Sequence, residues 1–160
     1  MLQFKPARTF RERLLFGHLM FGFFKRSRYG NVLNFGSPPI LSECAEFFWL
    51  FWLMLPARGS LRYFLVADRT IVAVMVLRKK ERLVRVASLA VAPRYRELGL
   101  GWHLLRFAED SAARAGAEHL ELTVLKVNTP AQRLYVRFGF AFKEEKKYSF
   151  ILQKRVKRRP

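Results

Sequence analysis

The sequence predicts a single α/β domain with a mixed, mostly antiparallel sheet of six to seven strands flanked by about four helices. Two patterns predict this class: three strand-like runs follow one another between positions 62 and 91, and strand-like and helix-like runs alternate after them. Size agrees, because 160 residues that are 51% hydrophobic suffice for one well-buried core. Since no repeat or long linker divides the chain, we assign residues 1–154 to one domain and residues 155–160 to a basic C-terminal tail.

The first third of the chain predicts one strand and two helices. Residues 2–7 indicate a short strand, and Thr9 is expected to cap a helix that runs to about residue 24. The Gly, Asn, Ser and Pro content of residues 29–39 indicates a loop. After this loop, Ser42 is expected to cap a second helix that runs to about residue 55.

The middle of the chain predicts three strands in series. Residues 62–67 and 70–77 have strand patterns on either side of a turn at residues 68–69, which indicates a hairpin. A second turn near residues 79–82 leads into the strand Leu83–Val91, which is rich in Val, Leu and Ala. These strands are expected to be neighbours in one sheet.

The last third of the chain predicts a strand, a helix and a closing pair of strands. Residues 118–124 form a strand with one apolar face. Thr129 is expected to cap a helix that has Pro130 at its first position, where proline costs least, and that ends at Gly139. The closing strands are predicted at residues 140–146 and 147–154.

The most informative segment is the octet at residues 94–101, Arg-Tyr-Arg-Glu-Leu-Gly-Leu-Gly, between a strand that ends at Pro93 and a helix-like run that ends at Gly116. At such a turn consecutive N–H groups can converge on an anion, because glycine has no Cβ and a helix start carries partial positive charge. Trp102 and Leu104 stand where a Walker loop and a dinucleotide fingerprint, respectively, need other residues. A phosphate site and a plain glycine-rich connection both stay open on these residues alone.

The net charge of +18 predicts an anionic partner. The candidates are a phosphorylated cofactor, an acidic substrate, nucleic acid and an anionic membrane surface, and a solvated basic surface is the alternative. The single cysteine, Cys44, excludes an internal disulfide framework and a cysteine-based zinc site, and it suits a reducing compartment.

Two apolar runs are candidates for a membrane-spanning segment or a signal peptide, and neither fits. Residues 47–55 are too few to span a bilayer, which needs about 20 residues. Basic residues follow the run at 14–24, where a signal peptide would have its cleavage site. We therefore predict a cytoplasmic protein without a transmembrane segment, and contact with a membrane surface stays open.

Two motifs carry a family resemblance. The run from Leu89 to Gly101 is similar to the acetyl-CoA motif Arg/Gln-x-x-Gly-x-Gly/Ala, and the run from Asn128 to Phe140 is similar to an Asn…Ala…Leu-Tyr…Gly-Phe segment. Together they resemble the GCN5-related N-acetyltransferases, the GNAT family. The resemblance implies a GNAT-like acyl-CoA N-acyltransferase fold over nearly the whole chain, with acetyl-CoA as cosubstrate and no metal. It also implies acetyl transfer to an amine of an unidentified acceptor, a small molecule or a protein.

The resemblance also implies a donor site residue by residue. Backbone groups of Leu89, Ala90 and Val91 would hold the pantetheine arm and the thioester. Asn128 would hydrogen-bond the cofactor or a neighbouring backbone group, with a loop cap ahead of Pro130 as the alternative. The pyrophosphate would bind the N–H groups of Arg96, Glu97, Leu98, Gly99, Leu100, Gly101 and Trp102.

Tyr135 is similar to the family's general acid. A phenol with a pKa near 10 stays protonated at neutral pH and can donate to the departing sulfur. The Val91 N–H is the candidate donor to the developing oxyanion. The alternative is structural, because Tyr135 shares one helical face with Ala131, Leu134 and Phe138 and can be a core aromatic residue.

The general base is where the sequence departs from the family. Many members carry a glutamate on the strand before the glycine loop, whereas Leu83–Val91 contains no acid. In members that acetylate ribosomal-protein N-termini, the base lies five positions before the asparagine, and that position is Thr123 here. A water chain would suffice for an amine of low pKa, such as a protein N-terminus. The residues that could act as the general base, judged by residue type alone, are His119, Glu121, Asp68, Glu43 and Glu46.

The predicted second helix is unusually aromatic, and its residues do not identify the acceptor. Residues 47–52 include Phe47, Phe48, Trp49, Phe51 and Trp52. Burial in the core or a homodimer contact, an acceptor pocket and contact with lipid are all compatible with them. A non-catalytic module of the same fold, which binds CoA or acyl-CoA or associates with nucleic acid or membrane, is the alternative to an enzyme.

Overall fold

A computed structural model describes residues 1–25 and 59–157. The predicted fold class is confirmed: a seven-stranded mixed sheet is flanked by three described helices. The predicted loop at 29–39 and second helix at 42–55 lie outside the described residues. The strands are β1 (Leu2–Pro6), β2 (Ser60–Ala67), β3 (Thr70–Lys80), β4 (Leu83–Val91), β5 (His119–Leu125), β6 (Ala141–Glu145) and β7 (Ser149–Arg155), and the helices are α1 (Phe10–Lys25), α2 (Leu100–Arg114) and α3 (Thr129–Phe138).

The sheet has the strand order β1-β2-β3-β4-β5-β7-β6. Neighbouring strands are antiparallel except β4 and β5, which are parallel. This pair is short: its register runs only from Leu83 opposite His119 to Val86 opposite Leu122. Both strands continue beyond the paired part, so a gap opens between their carboxyl ends.

Two tight turns shape the β2–β3–β4 ribbon. Asp68 and Arg69 have φ angles of 44° and 66°, which confirms the predicted hairpin turn and matches the primed turns that suit twisted strands. The next turn contains Glu81, with φ of 53°. β3 therefore extends to Lys80 and is longer than the predicted strand at 70–77.

The sheet is covered on both faces. On one face, α2 and α3 pack on the larger core, in which Leu104 and Leu105 of α2 lie against strand residues such as Met75 and Leu120. On the other face, Phe16 of α1 is buried against a smaller cluster, and its ring centroid lies 5.5 Å from that of Phe64. Helices on both faces leave the ends of the strands as the place for a site.

Helix starts follow capping chemistry, with one correction. The predicted cap at Thr9 is confirmed, because its Oγ1 accepts from the Glu12 N–H at 3.2 Å while Glu12 accepts from the Thr9 N–H at 2.8 Å. The prediction that Thr129 caps α3 is wrong. Asn128 is the N-cap and its Oδ1 accepts from the Ala131 N–H at 3.3 Å, which places Thr129 inside the helix.

The C-terminal end of the described chain is tied to the sheet. β7 extends to Arg155, and the Val156 N–H donates to the Glu118 carbonyl oxygen at 2.8 Å. The side chain of Val156 is buried in the larger core. Ordered contacts therefore reach into the segment that the sequence predicts as a basic tail.

Candidate functional site

The gap between β4 and β5 exposes one edge of β4. The register of β4 against β3 shifts between Val76 and Leu77 of β3, which leaves Ala87 of β4 as an extra residue. Beyond this bulge, the Ala92 N–H donates to the Val72 carbonyl oxygen of β3 at 2.9 Å. Backbone groups alternate along a strand, so those of Leu89 and Val91 face the gap.

Because backbone groups alternate along β4, those of Ala90 point to the opposite side from those of Leu89 and Val91. Ala90 is opposite Val74 of β3, and its backbone groups are directed to that strand. The side chains of Leu89 and Val91 pack against the larger core, whereas Ala90 packs against the smaller one. Of the three predicted positions, Leu89 and Val91 therefore present the edge that an extended ligand could pair with.

The glycine loop contains a set of N–H groups that are not used in backbone hydrogen bonds of the described chain. The Arg96 N–H donates to the Pro93 carbonyl oxygen at 3.4 Å, and the Trp102 N–H donates to that of Gly99 at 3.0 Å. In the described part of the chain, the N–H groups between Arg96 and Trp102 have no acceptor. Fewer N–H groups are therefore available than the seven predicted from Arg96 to Trp102. These available groups belong to Glu97, Leu98, Gly99, Leu100 and Gly101.

The two glycines of the loop contribute to the structure in different ways. Gly99 is the N-cap of α2 and has φ of 76°, a conformation that favours glycine, and a Cβ there would meet nothing within 4 Å. At Gly101, a Cβ would lie 2.7 Å from Cδ2 of Leu134 in α3. Gly99 therefore provides the turn, and Gly101 allows α2 and α3 to approach each other.

Tyr135 is placed on α3 among core residues. Its side chain is only 9% exposed, in the cluster against which Leu89 and Val91 pack. Burial raises the pKa of Tyr135 to about 12, so the phenol stays protonated throughout the neutral range. Its ring contacts that of Phe140 edge to face, with centroids 6.0 Å apart. Within residues 1–25 and 59–157, no hydrogen bond to its hydroxyl is found.

Lys154 of β7 fixes the C-terminal end of α3. Its Nζ donates to the Phe138 carbonyl oxygen at 2.9 Å and lies 4.1 Å from the centroid of the Phe138 ring. The same Nζ lies 2.9 Å from Oε1 of Glu109 in α2. A cation at a helix C-terminus also complements the helix dipole, so Lys154 links β7 to both helices of the site.

The connection from β5 to α3 is held by amide side chains. The Asn128 side chain is engaged as the cap of α3, the structural alternative that the sequence left open, and its cofactor role stays a prediction. Gln132 donates through Nε2 to the carbonyl oxygens of Leu125 and Lys126, at 3.0 and 2.7 Å. Sequence reasoning missed Gln132, whose only signal is its place inside the Asn128–Phe140 motif.

The candidate bases do not gather at the gap. The Glu121 carboxylate is 2% exposed and is bound by Arg85 and Lys143. Burial alone would raise its pKa, but the hydrogen bonds from Lys143 and Arg85 outweigh that effect and hold the pKa of Glu121 below its ordinary value. Asp68 lies in the exposed β2–β3 turn, 3.1 Å from the N-terminal ammonium.

The remaining candidates lie elsewhere. His119 begins β5 opposite Leu83, at the end of the strands away from the gap, beside a recess that shares no residue with the gap. Glu43 and Glu46 lie outside the described residues. In the part of the chain that the structure describes, no group of three His, Cys, Asp or Glu side chains could hold a metal ion, and no helix there is long and apolar enough to cross a membrane.

Comparisons with known proteins show the family of this chain. Residues 31–140 match the family model described as Acetyltransferase (GNAT) family. A streptothricin acetyltransferase of Streptomyces lavendulae is 47% identical over 57 residues, which are 36% of this chain and 30% of the relative. The chain thus spans less than a third of the length of that curated relative.

Solved structures show the same fold. The PaiA N-acetyltransferase of Thermoplasma acidophilum, in complex with coenzyme A, has a TM-score of 0.76 and 16% identity over 97% of this chain and 99% of that one. A putative streptothricin acetyltransferase of Bacillus anthracis, in complex with acetyl coenzyme A, has a TM-score of 0.58 and 18% identity over 63% of this chain and 65% of that one.

Proposed function

The chain belongs to the GNAT acetyltransferase family, and on that premise we propose that it transfers an acetyl group from acetyl-CoA to an amine. The observation that carries the proposal is the gap between β4 and β5, which opens beside a loop whose N–H groups are available. The two features are joined by only a few residues between Val91 and Gly99. One phosphorylated, extended ligand could therefore occupy both.

The loop would bind the pyrophosphate of CoA. The N–H groups from Glu97 to Gly101 lie at the start of α2, where the helix dipole adds partial positive charge. Arg96 contributes a cation at the same loop, and its Nε lies 3.3 Å from the Val91 carbonyl oxygen. Both the backbone and the side chain thus favour an anionic ligand.

The free edge of β4 would hold the pantetheine arm. Leu89 and Val91 present backbone groups to the gap, as the edge of a sheet does to an added strand. The Val91 N–H would then donate to the carbonyl oxygen of the thioester as negative charge develops on it. One continuous segment of the chain would thus hold both the thioester carbonyl and the pyrophosphate of the ligand.

The chemical step forms a C–N bond and breaks the C–S bond. The attacking amine must be neutral, and its second proton passes to water after the attack. The departing thiolate takes the proton of the Tyr135 hydroxyl, which solvent then restores. Because the pKa of Tyr135 is about 12, the hydroxyl holds its proton until a strong acceptor forms beside it.

Water is proposed as the route for the amine proton because Glu121 is already engaged. Its two carboxylate oxygens accept from Arg85 and from Lys143, and both bonds favour the charged form and oppose protonation. Amines with a pKa near 8 lose a proton at neutral pH more readily than lysine, whose pKa is about 10.4. We expect such amines to be the better acceptors.

The engagement of Glu121 also favours a second candidate function. A non-catalytic module of the same fold would bind CoA or acyl-CoA through the same loop and need no base. The two candidates share the donor site and differ only in turnover.

Ligand binding and turnover test the two candidates. We expect acetyl-CoA at 100 times its Kd to stabilise the fold by about 2.7 kcal/mol in thermal unfolding. Absence of stabilisation at millimolar acetyl-CoA contradicts both candidates. Release of free thiol with a library of amines would support the enzyme, and binding without turnover across the library would support the module.

A matched pair of glycine variants tests the location of the pyrophosphate. Gly99→Glu places bulk and negative charge in the loop and should abolish acetyl-CoA binding. Gly116→Glu is the control, because Gly116 has a similar φ of 69° and equally open surroundings at the opposite end of α2. Equal affinity in the two variants would show that the pyrophosphate binds elsewhere.

A further inference from the structure

A row of charged residues crosses the face of the sheet that carries α1. Arg78, Arg85 and Glu121 are directly opposite one another on β3, β4 and β5. Arg78 is two positions from Val76, which packs in the smaller core beneath α1, so alternation places the row on that face. The row is therefore separated from α2 and α3 by the sheet itself.

One buried carboxylate in this row holds two accessible cations. Oε1 of Glu121 accepts from Nε and Nη2 of Arg85 at 2.9 and 2.5 Å, and Oε2 accepts from Nζ of Lys143 at 2.7 Å. The side chains of Arg85 and Lys143 are 52% and 43% exposed. Two cations on one carboxylate leave a positive surplus, and the remaining hydrogens of both cations are available to a ligand from solvent.

More positive charge lies next to this pair on the same face. Arg62 of β2 is 6% exposed, and its pKa is lowered by burial and by the charges of Arg13 and Arg78. Arg62 and Arg78 make further contacts of their own. Arg62 and Arg78 thus add positive charge to the face on which Arg85 lies.

The pair of Arg85 and Glu121 lies close to the gap between β4 and β5. Arg85 and Glu121 form the third of the four opposed pairs of β4 and β5, and the strands separate after the next one. At about 3.3 Å per residue, Leu89 is about 10–13 Å farther along β4, the bulge at Ala87 accounting for the shorter value. A molecule of modest length could reach both the gap and the two cations.

We propose that Arg85 and Lys143 form a subsite for an anionic group, a carboxylate or a phosphate, on the amine acceptor. The part of this inference that concerns the acceptor rests on the proposed function. Glu121 is a positioning residue in this arrangement, because it fixes the two cations side by side and touches neither the donor nor the acceptor. The subsite assigns a substrate class that the donor loop alone leaves open.

Binding of simple anions tests the subsite without turnover. Protein saturated with CoA, which occupies the donor loop, is titrated with inorganic phosphate or with glutarate, and unfolding is compared with sodium chloride at equal ionic strength. We expect at least one anion to raise the midpoint, and the stronger one identifies the preferred group. Arg85→Met and Lys143→Met should each lose most of this shift.

Arg82→Met is the control for loss of one positive charge. Arg82 is exposed and is paired with Glu118, which precedes β5, so its variant should keep the shift. No shift in the wild type, or an equal loss in all three variants, would overturn the proposal. A protein that fails to bind CoA but keeps the Arg85-dependent anion shift would contradict the proposed function and leave the subsite intact.

Turnover gives a second readout that is specific to the acceptor. Amino carboxylates and aminoalkyl phosphates are compared with uncharged analogues of equal length. We expect Lys143→Met to lower kcat/KM for the charged acceptors by about tenfold, the lower end of the effect of one hydrogen bond to a charged group, because the Lys143 side chain is half-exposed. The KM for acetyl-CoA and kcat/KM for uncharged acceptors should stay unchanged. Equal losses for charged and uncharged acceptors would indicate a structural role and overturn the subsite.

Discussion

Tyr135→Phe separates the chemical role of a hydroxyl from the packing role of its ring. The ring is buried in the core, and its hydroxyl makes no hydrogen bond within residues 1–25 and 59–157. The variant therefore keeps the packing and breaks no described bond. At pH 7 we expect the free energy of unfolding to change by less than about 1 kcal/mol.

The expected change in stability appears only at alkaline pH. Burial favours the neutral phenol and raises the pKa of Tyr135 to about 12, above the value near 10 of an unfolded tyrosine. Below pH 10 both states keep the proton, and this stabilisation is fully present. As pH rises through 10 to 12 the unfolded state loses its proton first, so about 2 to 3 kcal/mol of stability is lost at 1.36 kcal/mol per pKa unit.

The expected change in rate has a separate cause. A hydrogen bond to a charged group contributes about 1.5–3 kcal/mol, so loss of the donor to the thiolate should lower kcat by about 10- to 100-fold. In the proposed site the loop and the β4 edge hold acetyl-CoA, so the variant should leave its Kd nearly unchanged. A loss in kcat without a loss in binding identifies a group that acts in the transition state.

Two measurements check this reasoning. Thiol release at saturating acetyl-CoA gives kcat, and denaturant unfolding at pH 7, 10 and 11.5 gives the stability of the wild type and of Tyr135→Phe. The variant should gain stability relative to the wild type only in the alkaline samples. Tyr148→Phe, which alters an exposed tyrosine, is the control and should not show this gain. An unchanged kcat would refute the acid role, and parallel stability curves would refute the role of burial.

Three further predictions concern the groups around the site. Gly99→Ala should lower the free energy of unfolding by about 1–2 kcal/mol, because Gly99 has a left-handed backbone conformation. Gly101→Ala should also lower stability, because the added Cβ contacts Leu134. In thermal unfolding, Leu134→Ala should rescue the Gly101 variant and not the Gly99 variant. Lys154→Met should cost about 3 kcal/mol, because it leaves a largely buried carboxylate on α2 without its cation; an unchanged denaturation midpoint would contradict this. The lowered pKa of Glu121 implies stability that is present above an unfolded pKa near 4.3 and lost as pH falls through the folded value, so Glu121→Gln should flatten the acid limb of the stability curve.

Local chemistry made much of the fold predictable from the sequence. The turn at Asp68 and Arg69 and the cap at Thr9 each depend on residues within a few positions, and the structure confirms both. The strand Leu83–Val91 has its predicted bounds, because Pro93 follows it and cannot donate to a ladder. Features of this kind need no knowledge of the rest of the chain.

Boundaries that depend on pairing were predicted less well. β3 continues through Lys79 and Lys80, whose polar side chains suggested a turn, because β4 pairs with it as far as Lys80 opposite Leu83. Asn128 and Thr129 are both good capping residues, and the sequence could not choose between them. The observed cap is Asn128, whose oxygen reaches the Ala131 N–H.

The charge state of Glu121 could not be predicted at all. Its partner Arg85 lies 36 positions before it and Lys143 lies 22 positions after it. These residues meet only through the register of β4 and β5 and the shift in register between β6 and β7. The sequence could name Glu121 as a base by type, whereas the structure shows that its oxygens are already engaged.

The glycine motif performs two physical tasks, and together they relate the proposed donor loop to the proposed acid, Tyr135. Gly99 supplies the left-handed backbone conformation at the N-cap of α2. Gly101 supplies the space in which α2 approaches Leu134, the residue next to Tyr135. A change in this helix contact would therefore shift the proposed acid relative to the loop proposed to hold the pyrophosphate. If the loop binds the pyrophosphate as proposed, the same motif would couple binding of the donor to placement of the Tyr135 hydroxyl.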